Sequence, residues 1–416
     1  MQPRALVRDG ALLYLAYSLK YIFPLIIVPL LARRLGPGEY GLVLASLSLA
    51  GLVAMVVEFG FGLSGLRDLS AADPSSRKRR LEAILSAKLV LIVPAALLGA
   101  ALAYFSPVFA ENGVFGLLAV LLGVFLGFNI TWYFRAVDRM PTAVSVEASA
   151  QLGYFFPVLA FVTGPDSGWL VLAIQAICLG AAQIFCIANI RRTAPIRLKM
   201  SEDAVHALVR GAPMFLMTAC IAVYTVSGPL ILAWLSTPEQ VGYFGVAEKL
   251  IGAALQLLGP ACAVLLPYMA KNLARDPDRA MLVLRYSLLT LVAGAAIGTT
   301  GTMLVGRTVL AWLLGPGYEA SAEVLVVLSA VLPLSVALQC ISMLLLFPLG
   351  RDRTVTAVAL SGGLAYLVFA LLLVPSQGAL GLAYSRIAAE IVLLGVSVVI
   401  TTKTRDVPVW RRAQPS

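Results

Sequence analysis

Charged residues are scarce in this chain, since Asp, Glu, Lys and Arg make up 12% of its 416 residues, against about 25% in soluble proteins. Hydrophobic residues make up 60%, and the mean hydropathy is +0.92. This composition excludes a water-soluble fold, which would lack a polar surface, and it excludes disorder, which requires low hydrophobicity and high charge. Because the apolar runs are continuous and do not alternate with polar residues, the sequence predicts an all-α polytopic membrane protein.

Signals of catalysis are also lacking. The sequence contains no Walker A motif, no GxSxG, no Gly-rich dinucleotide loop and no metal-ligand spacing. Its one histidine, His206, falls in a polar linker, and its five cysteines lie inside apolar runs without a CxxC pair. We therefore expect no catalytic residue, cofactor or metal, and any uphill transport would have to be driven by an ion gradient or by consumption of the product.

Twelve segments reach the roughly 20 apolar residues that a spanning helix needs. The longest connection between them, around 191–210, divides the chain into 1–195 and 196–416, and each part is predicted to form a bundle of six helices. The twelve segments are 11–32, 41–66, 83–105, 113–134, 142–163, 168–190, 211–235, 240–269, 286–306, 322–348, 354–374 and 378–402.

A short sequence echo favours a parallel repeat of the two halves. Pro37 and Gly41 stand between the first two spans, and Pro238 and Gly242 stand 201 residues later, between the seventh and eighth. An internal duplication predicts such a match at the equivalent position of both halves.

Basic residues predict the orientation in the membrane. The net charge is +10, and with the N-terminus inside, 24 of the 31 Lys and Arg residues fall in the inner connections and tails. The outer connections hold three, Arg33, Arg34 and Arg307. This bias predicts a multi-pass protein of the cytoplasmic membrane with both termini in the cytoplasm, and it assigns the excess charge to loops and not to a nucleic acid.

Lys20 is the most informative charge inside a span, because a charged side chain at the bilayer centre costs roughly 2.5–3.5 kcal/mol. It lies near the middle of the first span, with Tyr17 and Tyr21 on its face of the helix. We interpret the three as substrate-binding candidates that line a wet cavity and receive an anion and sugars. The alternative is that Lys20 pairs with a structural carboxylate.

Three further cations lie within spans. Lys249 and Gln256 share a polar stripe and are cavity candidates, although Lys249 is also near enough to the outer end to snorkel. Arg386 and Glu390 are four residues apart on one face, which favours an intrahelical ion pair, and Arg386 is kept as a cavity candidate. Lys88, near the inner end of its span, is expected to snorkel to the membrane surface.

Carboxylates inside spans are candidates for coupling transport to a proton or sodium gradient, because an isolated carboxylate is costly in lipid. Glu58, Glu147 and Glu390 are the residues concerned. Pairing with a structural lysine is the alternative for Glu58.

The first 80 residues carry recognisable motifs. The stretch from Tyr21 to Gly41 reads YIFPLIIVPLLARRLGPGEYG, and it is followed by EFGFG from Glu58 and LRDLS from Leu66. These segments resemble the first helix, turn and second-helix motif of the Wzx-type polysaccharide flippases. Two positions depart from the family pattern, which often has Asp at the position of Glu58 and Ser or Thr at that of Leu66.

The resemblance implies membership of the multidrug/oligosaccharidyl-lipid/polysaccharide exporter superfamily, whose members form two six-helix bundles around a central cavity and open alternately to each side. The implied substrate is a polyprenyl-diphosphate-linked oligosaccharide, and the implied partners are a polysaccharide polymerase and glycosyltransferases. Lys20, Arg33 and Arg34 are the positions carried over as substrate contacts, with holding the turn at 35–37 as the alternative for the two arginines.

Three other functions stay open. A multidrug exporter of the same superfamily would favour an acidic cavity, which Lys20 and Lys249 oppose and Glu58 and Glu147 permit. A membrane-embedded polymerase or ligase would need a large outer loop, and none is found in the sequence. A flippase for lipid-linked peptidoglycan precursors usually has two further helices.

Overall fold

The computed structural model describes the backbone of residues 3–193, 202–256, 259–349 and 352–403, and within these ranges the chain is helical and has no β-strand. The all-α fold predicted from the continuous apolar runs is therefore confirmed. Each predicted span is mainly helical in the part of the chain that is described, although breaks at 59–60, 128–130 and 226–227 interrupt the second, fourth and seventh spans.

Nine helices within the described residues are long and apolar enough to cross a membrane. They are Ile26–Ser70, Ser76–Tyr104, Gly113–Ala136, Met140–Phe161, Pro165–Arg192, Asp203–Thr225, Pro277–Leu314, Glu319–Leu346 and Thr354–Thr402. The first and last of these run through bends at Gly36 (φ 74°) and Gly378 (φ 54°), so neighbouring predicted spans continue into one another. Glycine adopts such positive φ angles without the steric cost that a Cβ would add. The protein is a multi-pass membrane protein.

Cα packing groups the chain into two compact units. Unit 1 comprises residues 1–222 and 226–242, and unit 2 comprises residues 223–225 and 243–416. The division into 1–195 and 196–416 stays a prediction.

Unit 1 is built from helices α1 to α10, the last part of α9 excepted, and from the start of α11. Their bounds are α1 Pro3–Glu58, α2 Phe61–Ser70, α3 Pro74–Tyr104, α4 Pro107–Glu111, α5 Gly113–Gly127, α6 Thr131–Ala136, α7 Met140–Phe161, α8 Gly168–Thr193, α9 Glu202–Thr225, α10 Gly228–Leu235 and α11 Pro238–Gln256. Helix α5 packs closely on α1, because Gly123 and Gly127 have no side chain. A Cβ at Gly123 would overlap Val53, and one at Gly127 would overlap the carbonyl oxygen of Ala54.

Unit 2 contains the rest of α11 and five further α-helices. These are α12 Gly259–Arg275, α13 Pro277–Leu314, α14 Glu319–Ser329, α15 Val331–Ile341, which continues into a π-helical turn Ser342–Leu346, and α16 Asp352–Lys403. Helix α13 packs on α14 and α15, and α16 packs on the same two helices. The two halves of α16 contact each other across the bend at Gly378, where Gly362 gives space to Leu393.

The two turns of the sequence echo contact each other inside unit 1. Gly41 lies against the carbonyl oxygen of Pro238, and Gly242 lies against the carbonyl oxygen of Pro37. A Cβ at either glycine would overlap that oxygen, so the reciprocal contact requires glycine on both sides.

Candidate functional site

A break between α5 and α6 brings polar groups together in unit 1. Lys88 of α3 is fully buried, and its Nζ donates to the carbonyl oxygens of Gly127 at 2.9 Å and Asn129 at 3.0 Å. The prediction that Lys88 snorkels is wrong. The free carbonyls at the end of α5 offer acceptors inside the unit, and the negative end of a helix dipole favours a cation there.

Further groups of the break are also hydrogen-bonded. The backbone N–H of Ile130 donates to Oε1 of Gln183 at 3.0 Å, and the indole of Trp132 donates to the carbonyl of Asn129 at 3.0 Å. The side chain of Asn129 accepts from the backbone N–H and the hydroxyl of Thr131, both at 2.9 Å. Non-helical backbone at membrane depth is tolerated where protein groups satisfy it in this way.

Glu147 of α7 continues this network. Its Oε1 accepts from the hydroxyl of Thr131 at 2.9 Å and from Nη2 of Arg135 at 2.5 Å. About a third of each charged side chain is exposed. Glu147, a predicted ion-coupling residue, is therefore half of an ion pair that joins α6 to α7.

Glu58 lies at the end of α1, where its carboxylate accepts from the backbone N–H of Gly60 at 2.7 Å and from that of Gly62. These donors belong to the start of α2, whose first N–H groups have no partner inside the helix. Glu58 also interacts electrostatically with Lys88. Its contacts are those of a helix cap that is connected to the buried lysine.

The predicted cation sites of α1 divide into two sets. Arg34 donates through Nη1 to the carbonyl oxygens of Leu159 and Val162, each at 2.7 Å, and so caps the end of α7. Arg33 beside it is exposed. Tyr17, Lys20 and Tyr21 lie on α1, and their side chains fall outside the described residues.

In unit 2 the ion pair predicted from the spacing of Arg386 and Glu390 forms, with Nη2 of Arg386 3.2 Å from Oε1 of Glu390. Arg386 also donates to the carbonyl oxygen of Tyr224, and its guanidinium carbon lies 5.0 Å from the centre of the Tyr224 ring. Ser335 donates to the same Oε1 of Glu390 at 2.7 Å. The second oxygen of Glu390, Oε2, is buried and has no hydrogen-bond partner among the described residues.

Two groups of the same unit, neither of them among the predicted site residues, complete this cluster. Glu248 of α11 is half-buried and interacts electrostatically with Arg386 and Lys249. Tyr366 is fully buried, interacts with Glu248 and Arg386, and its hydroxyl has no hydrogen-bond partner in the part of the chain that is described. Lys249 itself is exposed, so the less solvated part of the cluster holds two carboxylates and one guanidinium.

The structure thus brings four of the predicted charged residues, Glu58, Glu147, Arg386 and Glu390, into two places, one in each unit. Unit 1 groups Glu58 and Glu147 with Lys88, and unit 2 groups Arg386 and Glu390 with Glu248. Gln256 of the predicted stripe is exposed. The buried positions of Lys88 and Tyr366 were not predicted from the sequence. Gly127 at the end of α5 and Asn129 just after it could have signalled the acceptors of Lys88. Nothing in the sequence signals the position of Tyr366.

The helical fold with charged clusters inside its spans defines a class, the polytopic helical membrane proteins. Two solved structures share the fold. The inward closed conformation of the lipid II flippase MurJ superposes with a TM-score of 0.73 at 11% identity, covering 94% of this chain and 88% of that one. The inward-facing conformation of a MATE family multidrug resistance transporter gives a TM-score of 0.67 at 12% identity, covering 92% and 96%.

The family is defined by sequence. The model of the polysaccharide biosynthesis protein family matches residues 6–273, and the chain belongs to that family. A relative from Shigella dysenteriae, named as a candidate O-antigen transporter, is 24% identical over 387 residues, which is 92% of this chain and 96% of the relative.

Proposed function

We propose that the protein moves a polyprenyl-diphosphate-linked oligosaccharide from the cytoplasmic to the outer leaflet by alternating access, and that it is a transporter and not an enzyme. The observation that carries this proposal is the family match over residues 6–273, in a chain with a transporter fold. The relative named for O-antigen transport supports a lipid-linked glycan as the cargo. A polysaccharide polymerase and glycosyltransferases would then act next to it.

The proposed membrane is the cytoplasmic one, with both termini inside. The support is the bias of 24 basic residues on one side against three on the other. Labelling from outside should reach a cysteine introduced at Ser167 and not one at Ser75, after the five native cysteines have been replaced. The reverse pattern would contradict the orientation.

The proposed substrate contacts are Lys20, Tyr17, Tyr21, Arg33, Lys249, Gln256 and Arg386. A diphosphate suits the cations, and sugar faces suit the tyrosine rings. Arg34 is a weaker candidate, because its guanidinium already holds two carbonyls of α7. Arg386 can contact the substrate only if its ion pair with Glu390 opens during transport.

We further propose that ion coupling belongs to the cluster of unit 2. The support is Oε2 of Glu390, which has no hydrogen-bond partner among the described residues, together with the half-buried Glu248, because both carboxylates interact with the guanidinium of Arg386. A proton or a monovalent cation on Glu390 would neutralise the excess charge. Glu58 and Glu147 are weaker coupling candidates, because neither has a buried carboxylate oxygen without a hydrogen-bond partner among the described residues.

The deciding experiment compares two phenotypes of a deletion strain. Loss of the gene should lower surface polysaccharide and leave resistance to cationic dyes unchanged, and the plasmid-borne gene should restore the polysaccharide. Dye sensitivity with normal polysaccharide would favour the multidrug alternative, which the MATE-like fold equally accommodates.

A further inference from the structure

A cavity of about 440 Å³ lies in unit 1, where α2, α3 and α9 meet. Its walls carry three arginines, Arg79, Arg80 and Arg210, together with His206. The four basic side chains lie on α3 and α9, and none of the predicted transport residues lines the cavity.

Arg79 shows what kind of group fits this cavity. Its Nε and Nη2 each donate to one oxygen of Asp203, and both distances are 2.8 Å. Such a two-pronged contact suits planar carboxylates and phosphate oxygens equally well, because two parallel N–H groups meet two acceptors. Asp203 therefore occupies a position in which an arginine holds an anion.

The rest of the lining leaves positive charge uncompensated. Arg80 is half-buried and donates through Nη1 to the backbone carbonyl of Asp68 at 2.9 Å, which holds its guanidinium at the wall. Asp203 also interacts electrostatically with His206 and Arg210, so the three arginines of the lining share two carboxylates, those of Asp68 and Asp203. Phe61 and Ile84 contribute apolar side chains to the lining.

We infer that this cavity binds a phosphate or diphosphate group, and that Asp203 is a built-in competitor for the arginine that would hold it. A phosphate carries more charge and more acceptor oxygens than a carboxylate, so it gains more from several guanidinium groups. The ligand is a phosphate ester at the membrane surface, either a lipid headgroup or a free phosphate compound.

The first experiment measures binding of inorganic diphosphate to the purified full chain in neutral phosphatidylcholine nanodiscs. Asp203→Asn should bind about tenfold more tightly, because the competing charge is gone. Arg80→Gln with Arg210→Gln should bind about a hundredfold more weakly, since the loss of each charge-assisted hydrogen bond weakens binding about tenfold. Lys78→Gln is the matched control, because it removes a neighbouring charge that does not line the cavity, and it should leave binding unchanged.

The double variant, Arg80→Gln with Arg210→Gln, leaves the Arg79–Asp203 ion pair intact. Its diphosphate binding therefore tests the inference even if Asp203→Asn fails to fold. The melting temperature of each variant without diphosphate reports folding separately. Equal binding by the wild type, Asp203→Asn and the double arginine variant would overturn the inference.

The second experiment separates the two sources of phosphate. Native mass spectrometry counts the phosphatidylglycerol molecules that wild type and the double arginine variant retain, with and without diphosphate. Retention by the wild type that diphosphate displaces assigns the cavity to lipid headgroups, whereas diphosphate binding without retained lipid assigns it to a free phosphate compound. Lipid retention that neither diphosphate nor the arginine changes reduce would exclude the cavity as the lipid site.

Discussion

Gly41 lies directly against the main-chain carbonyl oxygen of Pro238, and this contact has a counterpart between Gly242 and Pro37. Each glycine lies four residues after its proline, near the start of a helical segment. The spacing of 201 residues that links the two turns in the sequence is thus also a physical contact in unit 1.

Gly41→Ala should destabilise the protein by about 1–3 kcal/mol, because the new methyl group overlaps the Pro238 carbonyl and the backbones must separate. Gly242→Ala should have an effect of the same size. The matched control is Gly113→Ala, since nothing lies within 4 Å of a Cβ there. Melting temperatures of the purified variants give the answer, and equal values for all three would contradict the close contact.

Lys88→Met should lower the free energy of unfolding by about 1–3 kcal/mol, because the carbonyls of Gly127 and Asn129 lose their buried donor. The amount of folded protein in the membrane and its melting temperature measure this. Lys78→Gln, which changes an exposed lysine paired with Glu82 at 4.0 Å, should have almost no effect. A snorkelling lysine would tolerate methionine, so an unchanged melting temperature would argue for that role.

Glu390→Gln should uncouple transport from the ion gradient while the protein still folds. The amide oxygen can accept from Ser335 and Arg386 as the carboxylate does, but the amide neither takes up a proton nor binds sodium. Transport in vesicles with and without a proton or sodium gradient is the measurement. Glu147→Gln is the comparison variant and should keep its gradient dependence; the opposite assignment would move the coupling site to unit 1.

Lys20→Ala should reduce surface polysaccharide about tenfold or more at normal protein level, if the lysine contacts the diphosphate of the substrate. Lys20→Arg should retain much of the activity, and Lys20→Glu should be worse than alanine because it repels the diphosphate. Removing an unpaired cation from a spanning helix does not hinder insertion. A parallel fall of activity and protein level would instead indicate a structural ion pair.

The features that could be predicted from the sequence are the local ones. Continuous apolar runs predict spans, because a helix forms its backbone hydrogen bonds within its own segment, and each of the twelve is mainly helical among the described residues. The pair of Arg386 and Glu390 follows from a spacing of four residues. Contacts between distant helices have no such signal: Lys88 meets its acceptor 39 residues away, and Arg34 meets its acceptor 125 residues away.

The buried ammonium of Lys88 supplies a positive charge to the carbonyl oxygens at the break between α5 and α6. Carbonyl oxygens at an interrupted membrane helix commonly attract a dissolved metal cation, yet here the positive charge is tethered to α3 by covalent bonds. Exchanging sodium for potassium or choline in the medium therefore does not empty this position. A dependence of transport on sodium or potassium would therefore report on a different part of the protein.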